Sequence, residues 1–285
     1  LEQEAQSAQA IVILQPLIDS GSLNAALTGK AWNIIGLAYQ DQGNLVSARN
    51  AYEQSIHILK PLPDEIKDYA VALDDLGGFY LDSGQIELAG TIRIKALHLY
   101  EKLNDHEGVT IACSNLAGVA FAQKRVRDGR RYLERALQEA KVASGLDDDD
   151  LAALSSMQGW LAQFDGDMPG SVSAYRHAIN LWRKSHGEDH PMTGWGYMLI
   201  GKAHAEAGLS AMALTEMQHG LTILDHMLGQ RNPRFLAAEI AYSHVLDQTG
   251  AHVDATRLRT TAEQALNGFY NSQCVGCTAS AAIFR

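Results

Sequence analysis

The sequence has little of what marks the specialised protein classes. Only three of its 285 residues are cysteine, Cys113, Cys274 and Cys277, too few for a disulfide framework. They leave the compartment open, with the cytoplasm as the expectation. There are six prolines and no Pro/Gly/Ser-rich run, so no linker divides the chain, and residues 1–285 are expected to form one domain. Positive charge is scarce: the net charge is −10, which offers no basic footprint for nucleic acid or an anionic membrane. No stretch approaches the roughly 20 consecutive apolar residues that span a bilayer. The N-terminal LEQEAQSAQAIVILQPL has neither the basic start nor the small-residue cleavage site of a secretory signal. It begins on Leu1 rather than Met, which we read as truncation or processing. GxSxG, GxxxxGK[ST], HExxH and a strand followed by GxGxxG are all missing. A non-enzymatic protein with no cofactor and no metal is the expectation.

What is present is a hydrophobic content of 46%, ample for a folded core, and a pattern written six times. In KAWNIIGLAYQDQGNLVSARNAYEQSI, Trp32, Ile35, Gly36 and Tyr39 fall at helical spacing. Gly43 breaks the run, and Ala48, Tyr52 and Ser55 resume it. This predicts two amphipathic helices joined by a tight turn. The same signature recurs around Gly77, Ala117, Gly159, Gly201 and Ser243, in steps of 41, 40, 42, 42 and 42 residues from Gly36. Such phased recurrence signals a repeat architecture. Residues 1–28 read as an N-terminal helix or half repeat, residues 29–266 as six repeats, and residues 267–285 as an irregular tail.

The Trp/Leu/Gly/Tyr and Ala/aromatic/Ala signature resembles the tetratricopeptide repeat, and the 40–42-residue step resembles its kinesin light chain type. The resemblance implies an all-α, right-handed alpha-alpha superhelix of stacked helix pairs. It also implies a non-enzymatic scaffold that binds a protein or peptide on the concave face, lined by the first helices. A sensor or regulatory region of a larger protein is one alternative. A self-assembly module stacking through the solenoid ends is another.

Two motifs look chemical. HGEDHP, residues 186–191, has two histidines around two carboxylates. Shifted by 42 residues, however, it aligns with GQRNP, Gly229 to Pro233, and in the other direction with Gly145 and the run LDDDDL. The shared elements are a glycine to end one helix in the left-handed conformation, then acids or proline to start the next. Glu188 and Asp189 are thus expected to be helix N-terminal charges. CVGC, Cys274 to Cys277, is half a zinc site at most. His204 occupies the interior slot that Tyr39 holds in the first repeat, and is expected in the core.

By register, the resemblance places Asn33, Asp41, Asp74, Asp75, Asp82, Asn115, Trp160, Phe164, Trp195 and Lys202 on the concave face. Asn33 and Asn115 match groove asparagines that bind a peptide backbone in kinesin light chains. Leu37 and Asp75 stand where carboxylate-clamping members have cations. Trp160 and Phe164 are one helical turn apart. Trp160 and Trp195 fit either groove anchors or gap-fillers between repeats; Phe121 fits the core better. The acids Asp41, Asp74, Asp75 and Asp82 favour a ligand with basic residues.

Overall fold

The computed structural model describes residues 2–273. A lone helix, α1 (Glu2–Asp19), is followed by six antiparallel pairs: α2 (Ala25–Asp41) with α3 (Leu45–Leu59), α4 (Ile66–Asp82) with α5 (Ile86–Leu103), and α6 (His106–Ala122) with α7 (Val126–Glu139). The series continues with α8 (Asp148–Phe164) and α9 (Met168–His186), α10 (Pro191–Glu206) and α11 (Ser210–Leu228), and α12 (Pro233–Gln248) and α13 (His252–Gln273). No strand occurs among the described residues. None of these helices is long and apolar enough to cross a membrane.

Local chemistry starts the helices. Asn24, Asn44, Asp105, Asp147, Asp167 and Asn232 are N-caps whose side chains accept backbone N–H groups of the first turn, and Asp147 with Asp150 forms a reciprocal capping box. Within each pair the chain turns on one residue with positive φ: Gly43, Gly84, Lys124, Gly166, Gly208 and Gly250. Lys124, at φ +59°, adopts the same backbone where the third repeat has lost its glycine, at a cost of about 1–2 kcal/mol.

HGEDHP is a corner between repeats, with a different geometry from the one its pattern suggested. Gly187 sits at φ +89°, ψ −178° and Gly229 at φ +76°, ψ +158°, an extended region open essentially to glycine alone rather than the left-handed helical one. Gly145 lies outside the positive-φ set. The N-cap of α10 is His190, whose Nδ1 accepts the Met192 N–H at 3.3 Å. Pro191 follows as the first helical residue. Burial, reinforced by the neighbouring His186, pushes His190 down to about 4, consistent with a neutral imidazole accepting that bond. His186 stacks on His190 at 4.1 Å and reaches the Asp149 carboxylate at 2.7 Å. Glu188 is not in the first turn of α10. It is held by Arg183 and by the Tyr197 hydroxyl, so its role is to tie the corner to the helices on both sides. No group of three or more His, Cys, Asp or Glu among the described residues could hold a metal ion.

The core runs from repeat to repeat and then meets itself. Leu266 and Tyr270 of α13 and Leu236 and Ile240 of α12 share one buried cluster with Leu45, Ala48 and Tyr52 of α3 and Leu76 and Phe79 of α4. The Tyr270 hydroxyl donates to the Asp82 carbonyl at 3.0 Å, and Arg234 donates to the Asp82 carboxylate at 2.5 Å. The last repeat therefore closes on the first two. This closure also corrects the tail. Residues 267–273 are not irregular but continue α13, because Tyr270 is buried against the first repeats. Cys274 and Cys277 lie outside the described residues.

Candidate functional site

The first helices of repeats 1, 2, 3, 5 and 6 surround a cavity of about 380 Å³. This is near the lower end of the size range for ligand pockets. From α2 and α4 come Asp41, Asp74, Asp75 and Asp82; from α6 comes Asn115; from α10 and α11 come Pro191, Met192, Trp195, Leu224 and Leu228; from α12 come Pro233, Arg234 and Ala237. One wall is thus anionic and another apolar.

The carboxylates are held by amides one repeat away. Asn33 donates to Asp75 at 2.7 Å, Asn115 to Asp74 at 2.6 Å and Gln40 to Asp82 at 2.9 Å. Gln40 in turn accepts the Tyr52 hydroxyl at 2.8 Å. Repeats 4 and 5 repeat this wiring: Gln163 accepts from Tyr175 at 2.8 Å and donates to Glu206 at 2.7 Å. An amide can accept from its own repeat while donating to the next, which fixes the stagger between neighbours.

Two arginines enter the cavity, each with its own acid. Arg93 is 7% exposed and Asp74 8%; Arg93 Nε stands 3.6 Å from Asp74 Oδ1, beyond hydrogen-bond reach, and Arg93 Nη1 donates to the Asn115 carbonyl at 3.2 Å. Arg234 lies against Asp82, whose negative charge pushes its guanidinium still higher. Asp41 accepts only the Ser7 hydroxyl, at 3.1 Å, and Asp75 only the Asn33 amide, among the described residues. Neither makes a direct ion pair there, although Arg234 acts on Asp41 and Arg93 on Asp75 at longer range. Burial raises Asp74, with Arg93 and Asn115 pulling the other way. Burial also pushes Asp75 up to about 6 against the pull of Asn33.

That last shift has a measurable sign. A carboxyl that titrates higher in the folded state than in the unfolded chain favours folding while protonated. The benefit is full below about pH 4 and lost as pH rises through about 6. Asp75→Asn keeps an oxygen for Asn33 and removes the charge. Urea titrations from pH 4 to 8 should show the variant gaining up to about 3 kcal/mol over the parent. The gap should open between about pH 4 and 6 and stay constant above.

Of the ten residues selected from the sequence, Asp41, Asp74, Asp75, Asp82, Asn115 and Trp195 line the cavity. The other four lie elsewhere. Asn33 is buried, its amide spent on Asp75, and Asn115 is likewise spent on Asp74. Trp160 is partly buried in the repeat-to-repeat packing, 6.2 Å from the Phe121 ring. Phe164 covers Phe121 at 5.6 Å and remains exposed. Lys202 is half-buried and pushed down by that burial. Phe121 and His204 are in the core as expected.

Sequence reasoning missed Arg93, Arg234 and Tyr270. Arg93 had a partial signal: it lies 16 residues after Gly77, the offset at which repeats 1, 3, 4 and 5 have Tyr52, Leu133, Tyr175 and Met217, although the sixth has another cation, Arg259. A cation in that core slot requires a buried anion nearby. Arg234 and Tyr270 had none, since their partners are 152 and 188 positions away.

Neither a protein-family model nor any curated protein matches the chain in sequence. Solved structures do match. The apo form of RapI aligns at TM-score 0.64 and 12% identity, over 93% of this chain and 97% of that one. Six phased helix pairs and these alignments together decide the fold. It is a tetratricopeptide-type solenoid. The Rap conjugation gene regulator of plasmid pLS20, solved with the Phr* peptide, aligns at 0.61 and 16% identity over 93% of this chain and 74% of its own. BtubC (BKLC) from P. vanneervenii aligns at 0.54 and 17% identity over 80% and 92%. At these identities the shared property is the tetratricopeptide-type fold.

Proposed function

We propose that the protein is a non-enzymatic scaffold that binds a protein or peptide segment inside its concave face. The observation that carries this reading is the cavity: five of the six first helices contribute to it, and it combines an anionic wall with apolar side chains. A tetratricopeptide-type solenoid of the same fold, the pLS20 regulator, has been solved with a peptide, which supports a peptide-sized occupant. Three of the four cavity carboxylates, Asp74, Asp75 and Asp82, are fixed by amides of the adjacent repeats, an arrangement suited to binding. Trp195 is the groove anchor in this reading. Trp160 belongs to the repeat-to-repeat packing instead.

The test is selection of a random dodecapeptide phage library on the immobilised full chain. The expected result is enrichment of sequences that bind the parent and lose affinity for Trp195→Ala. A library with no enrichment over a blank surface would remove the reading.

A further inference from the structure

The charges of the cavity do not balance. Asp41, Asp74, Asp75 and Asp82 face two cations, Arg93 and Arg234, and each arginine is committed to one acid. Asp41 and Asp75 make no direct ion pair among the described residues and feel Arg234 and Arg93 only at longer range. Asp74, although only 8% exposed, keeps an oxygen, Oδ1, that makes no hydrogen bond. A cation arriving beside Asp75 and Asp41 would supply the positive charge that the acid wall lacks. The wall from α10 and α11 presents the reverse chemistry: Met192, Trp195, Leu224 and Leu228 line it without a formal charge.

An extended peptide points successive side chains to opposite sides. Placed between these walls, it can put a cation on one and a hydrocarbon on the other with residues an odd number apart, and at the same level only with neighbouring residues. We infer that the cavity selects a peptide segment in which lysine or arginine is directly adjacent to a large apolar residue. The cation sits at Asp75 and Asp41, and the apolar side chain against Trp195 and Met192. This inference rests on the scaffold reading above and adds the identity of the ligand's core pair.

The peptides selected on the full chain provide the first readout. Enrichment of an adjacent basic–apolar pair is expected. Enriched peptides that share some other feature would overturn this inference and leave the scaffold reading standing; no enrichment at all would overturn both. The second readout uses capped decapeptides with one enriched sequence as the parent. Titration calorimetry of these on the full chain at pH 7.5 should show at least a tenfold loss when the basic residue becomes serine. A similar loss is expected when one serine is inserted between the pair. The double variant Asp41→Asn, Asp75→Asn should bind the parent peptide at least tenfold more weakly, while binding the serine-substituted peptide as the unmodified chain does. Equal losses for both peptides would mean general damage to the cavity and overturn the assignment of the cation. Asp75→Asn is expected to stabilise the fold, and circular dichroism of the double variant checks that it remains folded.

Discussion

Phe79→Ala should lower the unfolding free energy by about 3–5 kcal/mol, and Leu266→Ala by about 2–5 kcal/mol. Phe79 is fully buried, 6.0 Å from the Tyr52 ring and 5.6 Å from that of Tyr80. Leu266 belongs to the same cluster although it comes from the last helix. In an open solenoid the second and sixth repeats would be independent, because each repeat touches only its neighbours. Closure makes them one cluster, so the double variant should deviate from additivity by about 0.5–3 kcal/mol. Urea unfolding of the four proteins in the cycle measures this directly. Additive losses would mean that the ends do not pack on each other in solution. The same closure predicts one cooperative transition by circular dichroism and tryptophan fluorescence, rather than separate unfolding of terminal and central repeats.

Gly220→Val should cost about 3 kcal/mol, the upper end of the range for overpacking. A Cβ at Gly220 would stand 2.6 Å from the Gly194 carbonyl oxygen and 3.2 Å from Met198. A Cβ at Gly194 would lie 3.0 Å from the Gly220 oxygen. Each glycine therefore faces the other's backbone, which cannot rotate away as a side chain can. To admit a side chain, α10 and α11 must separate. Trp195 follows Gly194 directly, so the apolar wall of the cavity should shift with them. Gly268→Ala in α13 is the control: a Cβ there would meet nothing within 4 Å, and helix propensity alone should stabilise by about 1 kcal/mol. Thermal and urea melts of the two variants should move in opposite directions.

How much was legible beforehand depended on distance along the chain. The small residues Gly36, Gly77, Gly159 and Gly201, the turn glycines and the Asn and Asp caps act within one or two helices. Their spacing carried the helix pairs, the repeat number and the solenoid. The acids of the concave face were found for the same reason: a repeat register assigns a face to every position. Register could not say which of those positions share one cavity. It placed Trp160 and Trp195 alike, yet one packs on Phe121 and the other lines the cavity, because the repeats differ in what fills the space between them. Nor could register show that Asn33 and Asn115 are each committed to an acid on the adjacent repeat.

The sequence alone determined the repeating helix pair and the anionic character of its inner face, since period and charge are local properties. Tertiary structure decided that the array closes. Arg234 and Tyr270 meet Asp82 across more than 150 residues, and such contacts depend on the small rotation accumulated at every repeat. No single repeat encodes that sum. Closure also decided that the anionic face is one wall of a cavity whose other wall is apolar.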